Sequence, residues 1–220
     1  MRARASMQFV LVHGWGFDAS IWTPLIGRLG EAKTRVIDLG FAGNAPPADI
    51  DVRMEPVIAI GHSLGVLWLL KQGGRELGGQ KLHGLVSIQG FDRYCPHVSR
   101  ARVMALKRGI DRDASGTMGA FWRSCGAPDF ASLSALNEDR LREGLDWLLE
   151  WDARGEKASL DCPVLCLATR DDAIVPPAMS RAVWGDDNLI WRADGGHVLP
   201  LKHPDWCAAH VLEFADTLAP

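Results

Sequence analysis

The chain has 220 residues, of which 47% are hydrophobic and 23% charged, and its formal net charge is −3. That length and balance suit one domain with a full core, and the slight negative charge argues against nucleic acid as a partner. No apolar run approaches the about 18 residues a membrane span needs. The basic start, Met1 to Ser6, runs through a short apolar stretch into His13-Gly14-Trp15-Gly16. It is too short for a secretory leader, so a cytoplasmic protein is expected. Five cysteines without a Cys-x-x-Cys pair read as reduced side chains, with no disulfide and no metal.

Short unbroken apolar runs predict strands at 9–12, 35–39, 56–61, 85–89, 164–167 and 189–191. Such runs are what a strand buried on both faces requires. Helices are expected between them at 21–29, 64–77, 177–184 and 206–218. Strand–helix alternation means a mostly parallel sheet with helices on both faces, joined by right-handed crossovers. The rhythm breaks between residues 92 and 160, where no strand signal occurs and helices are expected at 98–110, 117–124 and 133–151. In the last of these, leucines recur on one face at the 3.6-residue period. The expected organisation is a core of residues 1–91 and 161–220 and a helical lid insertion of residues 92–160.

Gly61-His62-Ser63-Leu64-Gly65 lies between a buried-strand pattern and a helix start. A serine on so tight a turn needs small neighbours, and its hydroxyl is lifted clear of the sheet. A serine hydroxyl is a weak nucleophile and needs a base, which in this topology follows the acid along the chain. Asp172 heads Asp-Ala-Ile-Val-Pro after the fifth strand, and His197 ends Gly-Gly-His after the sixth. All three fall at carboxyl ends of strands, where open parallel sheets place their sites. The expected catalytic residues are therefore Ser63 as nucleophile, His197 as base and Asp172 as the acid orienting it, with Asp172 preferred over adjacent Asp171. The backbone N–H groups of Leu64 and Trp15 are the expected oxyanion donors. The Trp15 ring is a candidate wall of the substrate site, and His13 is expected to hold its loop.

Together these motifs resemble the α/β-hydrolase superfamily over essentially the whole chain outside the lid. The resemblance implies that fold, a Ser-His-Asp triad and no cofactor. Within it, His-Gly-Trp-Gly-Phe at 13–17, Trp22, Asp-x-x-Val-Pro and the stretch from Gly196 to Pro204 are most similar to the carboxylesterases that cleave pimeloyl-acyl carrier protein methyl ester in biotin synthesis. Two departures stand out. The first strand begins too early for the usual leading hairpin, and only residues 40–55 separate the second and third strands. The sheet is thus expected to be trimmed to about six strands.

The lid carries uneven charge. Residues 92–125 hold seven basic and three acidic side chains, whereas residues 126–158 hold four basic and eight acidic ones. A basic face steers an acidic partner, and the resemblance implies docking of acyl carrier protein on lid residues. Arg100, Arg102, Lys107 and Arg108 are the candidates, and a solvated face is the plainer alternative. Phe121 is the candidate for lining an acyl tunnel, the alternative being that Phe121 and Trp122 are both lid core. The function expected is hydrolysis of a carboxylic ester by a monomer, on a small-molecule substrate that an acyl carrier protein bears. A thioesterase would use the same machinery. The α/β-hydrolase lyase of menaquinone synthesis is disfavoured, because Val66 and Leu67 stand where that family has an arginine, and a non-catalytic binding protein is disfavoured by the complete triad.

Overall fold

A computed structural model describes residues 7–42, 56–72, 76–77, 79–130 and 135–218. The basic N-terminal segment and the greater part of the short connection before the third strand lie outside these residues. Among the described residues the strands are β1 (Gln8–Val12), β2 (Lys33–Ile37), β3 (Val57–His62), β4 (Glu76–Leu77), β5 (Gln80–Ile88), β6 (Val164–Thr169) and β7 (Leu189–Arg192). Six of them form a sheet of order β2-β1-β3-β5-β6-β7, and every neighbouring pair on that path is parallel. The fold is the α/β-hydrolase type, with its sheet trimmed as the sequence predicts.

All six residues of β3 are buried. Successive strand side chains point to opposite faces, so the sheet is covered on both. Phe9, Val10, Leu11, Val12 and Val57 through Ile60 are each 0–1% exposed. Each such large side chain contributes about 1.5–3 kcal/mol by leaving water, which makes β1 and β3 the centre of the core.

The helices are α1 (Thr23–Ile26), α2 (Leu64–Lys71), α3 (Arg100–Arg112), α4 (Ala114–Ser124), α5 (Glu138–Glu150), α6 (Arg154–Ala158), α7 (Pro177–Trp184), α8 (Leu199–Lys202) and α9 (Pro204–Thr217). α5 begins at Glu138, later than the expected 133, and α6 and α8 are not among the expected helices; the first two helices differ more. The first helix is a 3₁₀ turn, Ala19–Trp22, running into a single α turn. α2 stops at Lys71 instead of continuing to 77, and Leu77 instead pairs antiparallel with Gln80. The physical reason is local. The apolar run ends at Leu70 and Gly73-Gly74 follow it, each glycine costs a helix about 1 kcal/mol, and Gly79 takes φ 78° just before β5.

Four helices, α3 to α6, lie between β5 and β6. α5 buries Leu141, Leu145, Leu148 and Leu149 as the leucine spacing predicts, and Asn137 caps it by accepting the Arg140 N–H. These helices are tied down by side chains from β1's loop and from their own ranks. The Trp15 indole N–H donates to the Leu141 carbonyl at 2.9 Å, and the Trp122 indole N–H donates to the Gly16 carbonyl at 2.8 Å. Lys157 meets the buried Asp92 carboxylate at 2.6 Å, and Arg140 donates to the Leu39 carbonyl at 3.0 Å.

α2 approaches β1 so closely that a Cβ on Gly65 would stand 2.1 Å from the Val12 carbonyl oxygen. That contact is with backbone and has no flexible end to move aside. Gly65→Ala should therefore destabilise the protein by about 1–3 kcal/mol, read as a lower urea midpoint with an unchanged slope.

Candidate active site

β3 ends in Gly61-His62, and Ser63 follows with φ 54° and ψ −122° before α2 begins. A non-glycine residue held there stores about 1–3 kcal/mol of strain. The turn is held by a bond from the Ser63 N–H to the Ile88 carbonyl at 3.0 Å, and by glycines on either side. At Gly61 a Cβ would meet the Val66 nitrogen at 2.7 Å. The strain thus serves to aim one hydroxyl.

That hydroxyl, Ser63 Oγ, lies 2.8 Å from His197 Nε2, and His197 Nδ1 lies 2.8 Å from Asp172 Oδ2. All three residues are buried, at 6%, 1% and 5% exposure. Asp172 is acceptor-only as a carboxylate, so His197 carries its proton on Nδ1, which leaves Nε2 with a lone pair for the serine proton. Asp172 Oδ1 in turn accepts the Ile174 and Val175 N–H groups, each at 2.8 Å. Asp-x-x-Val-Pro is therefore a turn that wraps its own carboxylate.

Asp171 faces elsewhere. Its carboxylate accepts the N–H groups of Gly195 at 3.2 Å and Gly196 at 2.9 Å. It holds the glycine loop preceding His197 and does not touch the imidazole. From the other side the His197 N–H donates to the Cys125 carbonyl at 2.9 Å, binding that loop to the end of α4.

The His13-Gly14-Trp15-Gly16 loop sits against the serine turn, since a Cβ on Gly14 would lie 2.9 Å from Ser63 Cβ. His13 anchors the loop: its Nε2 is 3.0 Å from Asp38 Oδ1 and 2.9 Å from the Leu39 nitrogen. Burial works to raise Asp38, but bonding to His13 and to the Gly40 and Ala19 N–H groups outweighs it and holds the carboxyl below its usual value. Among the described residues neither the Trp15 nor the Leu64 backbone N–H has an acceptor. The Leu64 N–H is one of the orphan donors every helix start leaves.

The cavity over Ser63 is walled by Trp15, Phe91, Val103, Phe121, Leu148 and Ile174. Phe121 packs edge-on against Trp15 with ring centroids 4.7 Å apart. Trp122, its neighbour, points away into the bond with Gly16. Tyr94, Arg102, Leu106, Phe121 and Ile174 also border a second, open cavity of about 370 Å³ between α3 and α4, which reaches Arg112 and Thr117. Burial first, with Asp172 adding repulsion, pushes up the Cys125 thiol, so it stays protonated and offers no rival nucleophile. Among the described residues no cluster of His, Cys, Asp or Glu is built to hold a metal, and no helix is long and apolar enough to cross a membrane.

The four candidate docking residues are not alike. Arg100 is exposed, but its guanidinium donates to the Leu149 carbonyl at 2.7 Å, and Lys107 is paired with Asp146 at 2.5 Å. Arg102 and Arg108 are exposed, with no ion pair among the described residues.

A sequence model of the alpha/beta hydrolase family matches residues 9–210. The chain belongs to the alpha/beta hydrolase family. Among the relatives of this hydrolase, the pimeloyl-[acyl-carrier protein] methyl ester esterase of Stenotrophomonas maltophilia is 27% identical over 245 residues, covering 96% of this chain and 93% of that protein. The enzyme of the same name from Legionella pneumophila is 27% identical over 229 residues, covering 94% and 95%. Among solved structures, the esterase from Exiguobacterium antarcticum superposes with a TM-score of 0.76 at 16% identity, over 96% of this chain and 92% of that one. A thermophilic esterase from Thermogutta terrifontis gives 0.75 at 19% identity, over 97% and 91%. At those identities the structural likeness establishes the hydrolase fold.

Two residues of the site escape sequence reasoning. His62 reads as a variable position of the serine turn, yet it is fully buried and its Nε2–H donates to the His197 carbonyl at 2.9 Å. Gln89, at the carboxyl end of β5, touches both Asp172 and the His197 loop. The one available signal is a long polar side chain closing the apolar run Leu-Val-Ser-Ile.

Burial, reinforced by the charges of His197 and His13, drives His62 well below the ordinary imidazole value, so it is neutral in the folded hydrolase. Unfolded, it regains a value near 6.5. Below that pH the unfolded chain takes up a proton that the folded chain refuses. Stability from this group is therefore whole above pH 6.5 and falls as the pH drops below it, by up to about 1.4 kcal/mol per pH unit. Urea titrations at about pH 7.5 and about pH 5.5 should show the loss, and His62→Gln should lessen it.

Proposed function

We propose that this hydrolase is a serine carboxylesterase in which Ser63, His197 and Asp172 form the catalytic triad. The observation that carries the reading is the unbroken run of contacts from Ser63 Oγ through His197 to Asp172, both links 2.8 Å, on a strained turn under an apolar roof. Ser63 Oγ attacks the ester carbonyl carbon while its proton passes to His197 Nε2. The C–O bond to the alcohol then breaks, and the alcohol leaves with that proton. Water repeats the sequence on the acyl-enzyme and frees the acid. The Trp15 and Leu64 N–H groups receive the oxyanion at each tetrahedral stage. Asp172 keeps the imidazole in its working tautomer and steadies the imidazolium.

The preferred substrate is pimeloyl-acyl carrier protein methyl ester. The names of the relatives support this, and so do the mostly apolar walls over Ser63, whose cavity of about 20 Å³ shares Leu106, Phe121 and Ile174 with the open one of about 370 Å³ that has room for an acyl chain. Residues 92–160 serve as the lid, since Val103, Leu106, Phe121 and Leu148 roof the serine. Phe121 and Trp15 wall the acyl site. An acidic carrier docks on α3, chiefly through Arg108 and Arg102, since Lys107 is paired with Asp146 and Arg100 bonds the Leu149 carbonyl at 2.7 Å, whereas Arg102 has only a long contact of 3.5 Å with the Ala173 carbonyl.

Hydrolysis of p-nitrophenyl esters of graded acyl length, alongside the carrier-linked methyl ester, tests the scheme. Ser63→Ala should cut turnover by at least about 10⁴-fold and leave the melting temperature unchanged. Asp172→Asn should cost about 10⁴-fold in kcat, whereas Asp171→Asn should retain most activity; equal losses would sink the choice of acid. Arg108→Glu should raise KM severalfold for the carrier-linked ester at low salt and leave p-nitrophenyl butyrate unaffected. Cleavage of simple esters alone would leave an esterase with a different natural substrate.

A further inference from the structure

We infer that Gln89 is a positioning residue of the reaction centre, its side-chain amide fixing the Asp172 carboxylate and the His197 loop relative to each other. The inference rests on the triad reading above. Gln89 is 2% exposed. Its Nε2 lies 2.7 Å from Asp172 Oδ2, the same oxygen that meets His197 Nδ1, and 2.5 Å from the Gly196 carbonyl. Its Oε1 accepts the Leu199 N–H at 3.1 Å. The amide has one workable orientation. Flipped, it would set its oxygen against a carboxylate and a carbonyl, and its NH₂ against an N–H.

The backbone makes the same point. Gln89 holds φ 53°, the left-handed region that glycine occupies freely. A glycine would make this turn without strain, but it carries no amide for Asp172. The turn is also where the parts of the site meet. The Ile88 carbonyl just before it takes the Ser63 N–H, and the Gln89 N–H reaches the Leu167 carbonyl at 2.8 Å. Thr169 on β6 joins in, its hydroxyl donating to the Gly196 carbonyl at 2.7 Å. One side chain thus links β5, the acid turn and the base loop.

Asp172 accepts four donors in all: two backbone N–H groups on Oδ1, His197 and Gln89 on Oδ2. Removing the Gln89 donor leaves more of the carboxylate's charge to the His197 Nδ1–H. That favours the imidazolium, so the base is lost at a higher pH. The groups that set this balance are His197 and Gln89 on Asp172, His62 against the His197 ring with centroids 4.9 Å apart and held neutral by burial, and Arg102 near Tyr94 and Cys125, which burial also holds neutral.

The test is the rate at which a fluorophosphonate labels Ser63 as a function of pH, which needs no knowledge of the natural substrate. Wild type, Gln89→Met and Gln89→Glu are compared per folded molecule, the folded fraction being taken from thermal melts. Gln89→Met keeps the length and loses the donor. Gln89→Glu keeps the acceptor for Leu199 and sets a second carboxylate beside Asp172. The acid limb of the labelling profile should rise by about one pH unit in Gln89→Met, giving up to about tenfold slower labelling at pH values on the wild-type acid limb, and further in Gln89→Glu. A side chain that merely fills space would lower the melting temperature and leave the limb where it is. An unmoved limb in whichever variant folds overturns the inference. Failure of wild type to label at all overturns the triad reading first.

Discussion

The site depends on the turn that carries β3 into α2. At that point the backbone accepts φ 54° at Ser63, and α2 comes close enough to β1 that Gly65 has no room for a methyl group. Two consequences follow from the same geometry. The serine hydroxyl is lifted off the sheet, and the first N–H of α2 is left without a helical partner. A relaxed turn would move the helix away from β1 and displace the hydroxyl and that N–H, which any helix start leaves free, relative to each other. The strain is offset by the burial of the adjoining strands, whose side chains are almost wholly removed from water.

Around this turn most polar groups of the site are matched donor to acceptor, each unmatched one costing about 1–3 kcal/mol; the exceptions among the described residues include His62 Nδ1 and Ser87 Oγ. Asp171 and Asp172, adjacent in sequence, divide the work. One holds the glycine loop by its backbone and the other faces the imidazole. His62 fastens the base loop to the serine turn through the His197 carbonyl, and Gln89 fastens it to the acid. The base is therefore gripped at its ring, at its own carbonyl and N–H, and at the carbonyl before it. Such a grip keeps a near-attack arrangement without help from a ligand.

The helices between β5 and β6 complete the enclosure. Their apolar faces roof the serine, and two indole N–H groups, Trp15 to Leu141 and Trp122 to Gly16, stitch roof and floor together. The basic character of α3 has two faces in energetic terms. Lys107 and Arg100 spend their hydrogen-bonding capacity within the helices, while Arg102 borders the open cavity that adjoins the one over Ser63. Charge at such a mouth acts on what arrives there, where solvent-exposed pairs on the far side contribute little.

The chain by itself determined the architecture and picked out Ser63, Asp172 and His197, which the structure brings within hydrogen-bond distance of one another. Unbroken apolar runs marked the central strands, because a strand covered on both faces has no polar side to show, whereas the edge strand β2 runs over Lys33–Ile37 and not over the expected 35–39, its first residues being partly exposed. Gly-His-Ser-Leu-Gly, Asp-x-x-Val-Pro and Gly-Gly-His were legible because tight turns and strand ends demand particular residue types locally. The leucine period likewise marked α5, although the helix expected at 64–77 ends as α2 at Lys71. Tertiary structure alone decided the pairings across distance. Which of two adjacent aspartates meets the imidazole depends on how the turn after β6 folds back on its own carboxylate. The contact of Gln89 with Asp172 spans 83 residues, and that of His62 with His197 spans 135. No local pattern encodes such contacts, because they arise only when parallel strands place their carboxyl ends side by side.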